Sequence, residues 1–182
     1  GKAIGKIMGV DAAESKKVVA FVHCQGDCEK AGTDYDYCGA EDCRIMSFVP
    51  GGGPKTCSSG CLGFGSCVKE CPFDAIHVVK GVAVVDREQC KACGKCVQAC
   101  PRHLISLIPY EAKVAVACSS AEKGPVAVKA CQTSCVGCGV CVKACPRQAV
   151  KLENLHAVID QEKCVGCGIC EQKCPRKAIV RI

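Results

Sequence analysis

Two closely similar runs of cysteines decide the fold: C-V-G-C-G-V-C-V-K-A-C-P from Cys135 to Pro146, and C-V-G-C-G-I-C-E-Q-K-C-P from Cys164 to Pro175. Each is a C-x2-C-x2-C-x3-C-P run, a spacing typical of iron–sulfur proteins. The first three thiolates of a run bind one cluster, and the fourth, before proline, binds the neighbouring cluster. The runs therefore predict two [4Fe-4S] clusters, one held by Cys135, Cys138, Cys141 and Cys174, the other by Cys164, Cys167, Cys170 and Cys145.

Structural zinc sites are the alternative interpretation, because four thiolates also bind zinc. Zinc sites usually space their ligands as two separate CxxC pairs, whereas each run here has four cysteines followed by proline. Glycines between the cysteines also suit loops that pack closely against a cluster. The pattern favours iron–sulfur over zinc.

The composition indicates a small, metal-stabilised protein. Of 182 residues, 22 are Cys, none is Trp and only seven are Phe or Tyr. Because a large aromatic core is excluded, bound metal is expected to contribute much of the folding free energy. The cysteines lie in metal-binding motifs and no signal peptide precedes them, which favours a reducing compartment. No run of eighteen apolar residues is present, so we expect no membrane span.

The formal charge of +6 counts every cysteine as neutral. An oxidised four-iron cube with four thiolates carries about −2, so four cubes would bring the balance to about −2. The lysines are scattered and no aromatic residues alternate with them. A nucleic-acid-binding function is therefore not supported.

An internal repeat extends the cluster motif to the middle of the chain. A shift of 74 residues brings eight earlier cysteines onto eight later ones, beginning with Cys57 on Cys131 and ending with Cys100 on Cys174. The chain is therefore a duplicated two-cluster module. In the first copy, one further ordinary cluster is predicted, with these ligands: Cys90, Cys93, Cys96 and Cys71.

One ligand is missing from the first copy, because Phe64 stands where the second copy has Cys138. Two outcomes are open. Cys57 could substitute for the missing ligand, giving a four-iron cube on Cys57, Cys61, Cys67 and Cys100. Alternatively, Cys61, Cys67 and Cys100 alone would hold a [3Fe-4S] cluster. We favour substitution by Cys57, since its thiol lies only four residues from Cys61.

Six cysteines lie outside the ferredoxin runs or at their margin: Cys24, Cys28, Cys38, Cys43, Cys118 and Cys131. We hypothesise a fifth iron–sulfur site that uses Cys24, Cys28 and Cys43, which lie in an insertion that the second copy lacks. Its fourth ligand is left open among Cys57, Cys131, Cys118 and Cys38. The alternative is that some of these cysteines are buried free thiols.

The expected fold class is α+β, small and cysteine-rich, with two tandem 2[4Fe-4S] ferredoxin-like modules. Hairpins are predicted at Ile76–Val79 with Val82–Val85, and at Val150–Leu152 with Ala157–Ile159. A strand is predicted at Val18–Val22, and a short helix after each Cys-Pro. The predicted division is a leader helix or tail at 1–17, an insertion at 18–56, modules at 57–110 and 131–182, and a linker with a strand at 111–130.

Four stretches carry a resemblance to a known family: V-A-F-V-H-C-Q-G-D-C ending at Cys28, D-C-R around Cys43, the segment from Gly52 to Ile76, and C-K-A-C-G-K-C-V-Q-A-C-P from Cys90 to Pro101. They resemble RnfB, a subunit of the Rnf complex, the ion-translocating ferredoxin:NAD oxidoreductase, in the longer form of clostridia and acetogens. The G-C-L-G-F-G-S-C stretch and the insertion before it are the specific part.

The resemblance implies a function as an electron-transport subunit. Electrons would enter from reduced soluble ferredoxin and pass through a chain of clusters to the membrane subunits, on the cytoplasmic side of the membrane. Relatives carry an N-terminal membrane helix and a further cluster domain, so this chain, which begins with Gly1, is expected to be a soluble portion. In the family, the position of Cys38 is expected to hold another residue type.

Two other functional classes remain open at this point. One is a polyferredoxin-like carrier or the electron-input subunit of another oxidoreductase. The other is a non-redox metal-binding scaffold. No flavin or nucleotide motif and no catalytic site are expected in this chain, so any NAD chemistry would take place on a partner.

Overall fold

The computed structural model describes residues 16–182, so the predicted leader at 1–17 lies almost wholly outside the described residues. The described part contains eight short strands and five short α-helices. In chain order these are β1 (Val18–Val22), α1 (Ser66–Lys69), β2 (Ile76–Val79), β3 (Val82–Val85), α2 (Lys95–Ala99), β4 (Ile105–Pro109), β5 (Val114–Val116), α3 (Gly124–Ala130), α4 (Val140–Ala144), β6 (Val150–Glu153), β7 (His156–Ile159), α5 (Ile169–Lys173) and β8 (Ile179–Arg181).

The strands form four antiparallel pairs, two in each copy of the repeat. In the first copy β2 pairs with β3, and β1 pairs with β4, the last strand of that copy. The second copy repeats this arrangement with β6 paired to β7 and β5 to β8. The α+β architecture of two cysteine-rich modules is therefore confirmed.

Both predicted hairpins are present, and their turns explain the tight connection. Lys80 and Gly81 have φ of 48° and 75°, and Asn154 and Leu155 have φ of 46° and 65°. Positive φ at both central residues is the signature of the type I′ turn, whose twist matches that of the flanking strands. In the second hairpin each strand is one residue longer than predicted, because β6 extends to Glu153 and β7 begins at His156.

The prediction of a helix after each Cys-Pro is wrong. Four of the five helices instead lie before the fourth cysteine of a run, each preceded by a glycine with left-handed φ. After the Cys-Pro, the chain makes a turn in which the third residue past the cysteine also has positive φ: Asp74, His103, Gln148 and Lys177. A left-handed residue ends any helix at this point, since L-residues do not continue through it.

Each copy has its own small core, to which its first and last strands contribute. In the first copy, Ile76, Leu104 and Ile105 pack against cluster-run cysteines such as Cys67 and Cys96. In the second copy, Val114, Val150 and Ile179 pack in the same way. The predicted division placed β1 in the insertion and β5 in the linker, whereas each strand pairs with the end of its module.

The segment between β1 and Cys57 follows an irregular path across both modules. Ala31 forms an isolated bridge with Cys131, and Thr33 forms one with Lys55. His23 lies at the junction, where its two ring nitrogens contact the carbonyl oxygen of Val116 and the hydroxyl of Ser106. The modules are therefore joined by direct polar contacts.

In the part of the chain that the structure describes, the helices are too short to cross a membrane, and none has the required apolar length.

Candidate metal centres

All 22 cysteines lie within the described residues, and none of them is paired in a disulfide. The ferredoxin-run cysteines are placed by two local features, a glycine with left-handed φ and the short helix that follows it. The third cysteine of each run lies in that helix and is buried, as Cys141 and Cys170 are. The fourth cysteine follows the helix in extended conformation, which directs it away from the loop.

The predicted set of Cys135, Cys138, Cys141 and Cys174 lines one cavity of about 340 Å³, counting space open to solvent. Burial and the thiols of Cys135, Cys174 and Cys138 raise the pKa of Cys141 to about 11. The structure therefore brings together the four cysteines that the spacing had grouped, including the distant Cys174.

The two remaining ferredoxin-type sets also converge. Burial raises the pKa of Cys96, and the nearby thiols of Cys90, Cys93 and Cys71 raise it further. Burial likewise raises the pKa of Cys170, with the thiols of Cys164 and Cys145 close to it. Cys167 lies exposed on the same loop as Cys164 and Cys170.

The missing ligand position of the first copy is approached by Cys43 and not by Cys57. A cavity of about 410 Å³ is lined by Cys43, Cys61, Cys67 and Cys100. Burial raises the pKa of Cys67 to about 12, together with the thiols of Cys61, Cys43 and Cys100. The grouping thus differs from the predicted set, because the fourth cysteine comes from the insertion.

Ser66 holds Cys43 in this position. The hydroxyl of Ser66 accepts a hydrogen bond from the Cys43 amide at 2.9 Å and donates one to the Asp42 carboxylate at 2.9 Å. Arg44 completes the arrangement by donating to Asp42 at 2.8 Å, and these donors hold the pKa of Asp42 well below its usual range. Ser66 is fully buried next to Cys67, so Asp42–Arg44 is fixed beside the cluster loop.

Phe64, which replaces the missing cysteine, packs against the insertion. Its ring centroid lies 5.6 Å from that of Tyr37. Sequence reasoning assigned Cys43 to a fifth site and not to this one, because nothing in local spacing links it to Cys61. The available signal was Ser66, a small polar residue where the second copy has Val140, together with the polar neighbours of Cys43.

A third cavity, of about 360 Å³, lies between the modules and is lined by Cys24, Cys57, Cys118 and Cys131. The predicted grouping of Cys24, Cys28 and Cys43 is not found. Cys28 is exposed, with its amide donating to the Lys80 carbonyl at 3.0 Å on the hairpin turn. Cys38 is exposed as well.

Backbone amides donate to many of the cysteine sulfurs. Some of these donors directly follow the left-handed residue after a Cys-Pro. Leu104 N–H donates to Cys100 Sγ at 3.4 Å, and Ala178 N–H donates to Cys174 Sγ at 3.4 Å. Ala149 donates to Cys145 in the same way at 3.3 Å. Such donors stabilise negative charge on sulfur and therefore favour the reduced state of a cluster.

Two arginines at equivalent positions face the cysteine sites. Arg102 donates to the carbonyl oxygens of Cys57 at 3.1 Å and Gly52 at 2.7 Å. Burial lowers the pKa of Arg102, and the neighbouring thiols of Cys57 and Cys61 partly oppose that shift. Arg176 donates to the carbonyl of Cys131 at 2.9 Å. Each arginine thus brings positive charge next to a cysteine cavity.

Across residues 16–182, no three His, Cys, Asp or Glu side chains are grouped tightly enough to surround a single metal ion. The four thiolates of a cube each bind a different iron, so they need not crowd around one point. The donor chemistry, four thiols with amide donors at their sulfurs around a small cavity, fits a four-iron cluster.

Comparison with protein-family profiles identifies the class of protein. Profiles of the 4Fe-4S dicluster domain match residues 89–149, 134–178 and 53–101. The protein is therefore built from iron–sulfur dicluster domains of the ferredoxin type, and it binds iron–sulfur clusters.

Curated relatives then give the family. The chain is 46% identical over 162 residues to the B subunit of the Na⁺-translocating ferredoxin:NAD⁺ oxidoreductase complex of Acetobacterium woodii, covering 88% of this chain and 48% of the relative. It is 46% identical to the B subunit of the proton-translocating ferredoxin:NAD⁺ oxidoreductase complex of Clostridium ljungdahlii, covering 87% and 56%. It is 40% identical to the B subunit of the ion-translocating oxidoreductase complex of Methanosarcina acetivorans, covering 89% and 61%.

The chain belongs to the RnfB family, as the resemblance indicated. It spans about half the length of the first of these relatives. Among solved structures, a chain of the formate dehydrogenase, heterodisulfide reductase and formylmethanofuran dehydrogenase complex of Methanospirillum hungatei aligns over 67% of this chain and 52% of its own length, at 22% identity and a TM-score of 0.28, which supports no conclusion.

Proposed function

We propose that this chain is the electron-relay portion of an Rnf-type B subunit. It accepts electrons from reduced ferredoxin and passes them through a series of clusters to membrane subunits of the complex, on the cytoplasmic side of the membrane. The observation that carries the proposal is the convergence of four cysteine sets in two modules, supported by the names of the three relatives.

The ligands of the four ferredoxin-type clusters follow from the cysteine groups. The second module uses Cys135, Cys138, Cys141 and Cys174, and also Cys164, Cys167, Cys170 and Cys145. The first module uses Cys90, Cys93, Cys96 and Cys71, and its other set is Cys43, Cys61, Cys67 and Cys100. With Cys43 as a fourth thiolate, this last site takes a [4Fe-4S] cluster, and a [3Fe-4S] cluster is not required.

The clusters supply one-electron redox chemistry, which needs no acid, base or nucleophile from the protein. The residues of the chain fix the cysteines in place, keep their surroundings largely apolar and adjust the affinity for an electron. Amides such as those of Leu104 and Ala178 favour the added electron, and so does the positive charge of Arg102. In each module the crossed fourth cysteine joins its two sites.

A rapid-mixing experiment tests the relay. The anaerobically purified, oxidised chain is mixed with reduced ferredoxin, and the loss of its visible absorption is followed. The same is done with a small-molecule reductant of similar potential. Specific docking predicts a rate with ferredoxin that is clearly faster and falls with ionic strength. Equal rates with the two reductants would contradict docking of ferredoxin.

A second test addresses the membrane partners. A tagged full-length subunit that contains this chain is purified from membranes after gentle solubilisation. Recovery of other Rnf-type subunits supports the proposal. Recovery with a hydrogenase or another reductase instead would favour an electron-input subunit of a different oxidoreductase.

A further inference from the structure

We propose that Cys24, Cys57, Cys118 and Cys131 together hold a fifth [4Fe-4S] cluster at the junction of the two modules, with two ligands from each module. The inference rests on the proposed function as an iron–sulfur relay and adds a site to it. It retains the predicted number of clusters but replaces the predicted ligands Cys28 and Cys43.

The cavity at the junction resembles the cavities of two of the proposed ferredoxin-type sets. The cavity around Cys135, whose four cysteines form a ferredoxin-type set, measures about 340 Å³, and the one around Cys67 measures about 410 Å³. The cavity at the junction measures about 360 Å³ and is also lined by four cysteines. By ligand number it matches these two cavities, which are proposed above to hold four-iron clusters, and its volume, counted in the same way, lies between theirs.

The four cysteines at the junction form two pairs of equivalent positions in the duplicated modules. Strands β1 and β5 are equivalent, since each pairs with the last strand of its module. Cys24 follows β1 and Cys118 follows β5 at the same distance from the strand end, related by a shift of 94 residues. Cys57 and Cys131 are related by the shift of 74 residues. Each module therefore contributes two cysteines at equivalent positions, and the two pairs line the same cavity to give four ligands.

The four sulfurs lie in an environment that suits cluster ligands. The amide of Cys61 donates to Cys24 Sγ at 3.3 Å, and the amide of Cys135 donates to Cys118 Sγ at 3.2 Å. Cys57 and Cys131 are both buried. Burial and the neighbouring thiol of Cys131 raise the pKa of Cys57. Two of the four sulfurs, one from each module, thus have the same kind of amide donors as those of the ferredoxin runs.

Gly26 leaves the space that the site needs. A Cβ atom added at Gly26 would lie 3.2 Å from Cys131 Sγ and 3.8 Å from Cys24 Sγ. Two sulfurs from different modules therefore flank one residue without a side chain. Lys55, whose ammonium group donates to the Gly26 carbonyl at 2.9 Å, adds positive charge that favours bound thiolates.

The position of the site gives it a role in the relay. Cys61 belongs to a first-module set and Cys135 to a second-module set, and the amide of each contacts a sulfur of the junction site. A cluster at the junction would therefore lie one hydrogen bond from ligands of both modules. Electrons crossing from one module to the other would pass through it.

Loading the site requires no redox step. A preformed cluster arrives on a carrier that holds it by thiolates. Four iron–sulfur bonds to the carrier are replaced by four bonds to these cysteines, and the protons of the four thiols pass to the carrier thiolates. Thiols and thiolates exchange roles, and no electron is transferred.

Iron and acid-labile sulfide analysis of the whole anaerobically purified chain tests the proposal. The unaltered chain should contain about twenty irons. Cys131→Ser should contain about sixteen, or about nineteen where its three remaining ligands keep a three-iron cluster, and it should keep the EPR signals of the ferredoxin-type clusters. Cys118→Ser should behave in the same way. Cys38→Ser, at an exposed cysteine outside every set, is the matched control and should keep about twenty.

Three results would overturn the inference. One is about sixteen irons in the unaltered chain, whether or not Cys131→Ser folds. Another is an unchanged count in both serine variants. The third is about sixteen irons with one zinc that Cys131→Ser removes. In these cases the proposed function stands, whereas a chain without iron would contradict the proposed function itself.

Discussion

Phe64 stands where the first module would need a cluster ligand, and either Cys43 or Cys57 could supply the missing thiolate. The hydrogen bond from the Cys43 amide to the buried hydroxyl of Ser66 decides between them, because it fixes Cys43 beside Cys67. Cys57 remains next to Cys131 at the junction. The proposed assignment of Cys43 to this site thus depends on a single side-chain hydroxyl on a cluster loop.

We predict that Cys43→Ser converts the affected site into a [3Fe-4S] cluster, because Cys61, Cys67 and Cys100 remain to bind three irons. The chain should lose about one iron and gain the EPR signal of an oxidised three-iron cluster. EPR of the oxidised, anaerobically purified variant measures this.

The control for this prediction is Cys28→Ser, since Cys28 is exposed and lies outside the cavities described above. Its spectrum should match that of the unaltered chain. If Cys57→Ser produced the three-iron signal and Cys43→Ser did not, the assignment of Cys43 would be wrong.

Arg102 is predicted to raise the reduction potential of the first module. Its guanidinium group lies near the thiols of Cys57, Cys61, Cys24 and Cys43. Arg102→Gln removes one positive charge, so the added electron is less stabilised and the potential should fall by roughly 60 mV, the equivalent of a tenfold change in a one-electron equilibrium. A redox titration followed by EPR measures the shift.

Arg176→Gln is the matched variant, because Arg176 lines the cavity of the second module. It should lower the potential of a second-module cluster and leave the first module unchanged. If neither variant shifted any potential, the arginines would serve only to hold backbone carbonyls.

At the scale of the element, each cluster loop packs against a hairpin turn. A Cβ atom added at Gly63 would lie 2.7 Å from the carbonyl oxygen of Gly81, and one added at Gly137 would lie 2.7 Å from that of Leu155. These are equivalent positions in the two modules. Loop and turn therefore approach so closely that only glycine fits, which ties the hairpin to the cluster site.

We predict that Gly63→Ala makes the first module lose its clusters faster. Gly63 has a left-handed φ of 81°. That conformation costs an alanine about 1–2 kcal/mol, and the clash with Gly81 adds to the cost. The half-life of the visible absorption during mild anaerobic heating measures the effect.

Gly94→Ala is the control for this prediction. Gly94 has a similar φ of 77°, but a Cβ atom there meets nothing within 4 Å. Its half-life should shorten less than that of Gly63→Ala. Equal half-lives for the two variants would show that the contact with the hairpin turn does not stabilise the cluster loop.

The hairpins and cluster runs could be predicted from the sequence, because their signals are local. The spacing of four cysteines and the residues of a two-residue turn act over a few positions. The helix predicted after each Cys-Pro was wrong because the chain turns there at a left-handed residue. Two of these residues, Gln148 and Lys177, are not of a type that is common in that conformation. The path of the insertion depends on tertiary contacts such as Cys43 with Ser66, and spacing contains no information about these.

At the scale of the whole molecule, cluster-run cysteines form part of both cores. The buried residues include Cys67, Cys96, Cys141 and Cys170, which pack against aliphatic residues such as Leu104 in the first module and Ile179 in the second. Without bound iron, the cavities would leave these cysteines without their main interactions. Folding and cluster binding should therefore be coupled in both modules.

We predict that anaerobic removal of iron by a chelator unfolds both modules together. The far-ultraviolet circular dichroism should lose its strand signal, and the hydrodynamic radius should increase. Restoring clusters from a carrier should reverse both changes. An iron-free chain that kept its radius and its spectrum would contradict the coupling.

The relay as a whole depends on thiolates from both modules holding iron and sulfide. Quantitation of iron, acid-labile sulfide and zinc in one anaerobically purified sample tests this most directly. We predict about twenty irons, about twenty sulfides and negligible zinc per chain. A sample with several zinc ions, little iron and no labile sulfide would contradict it.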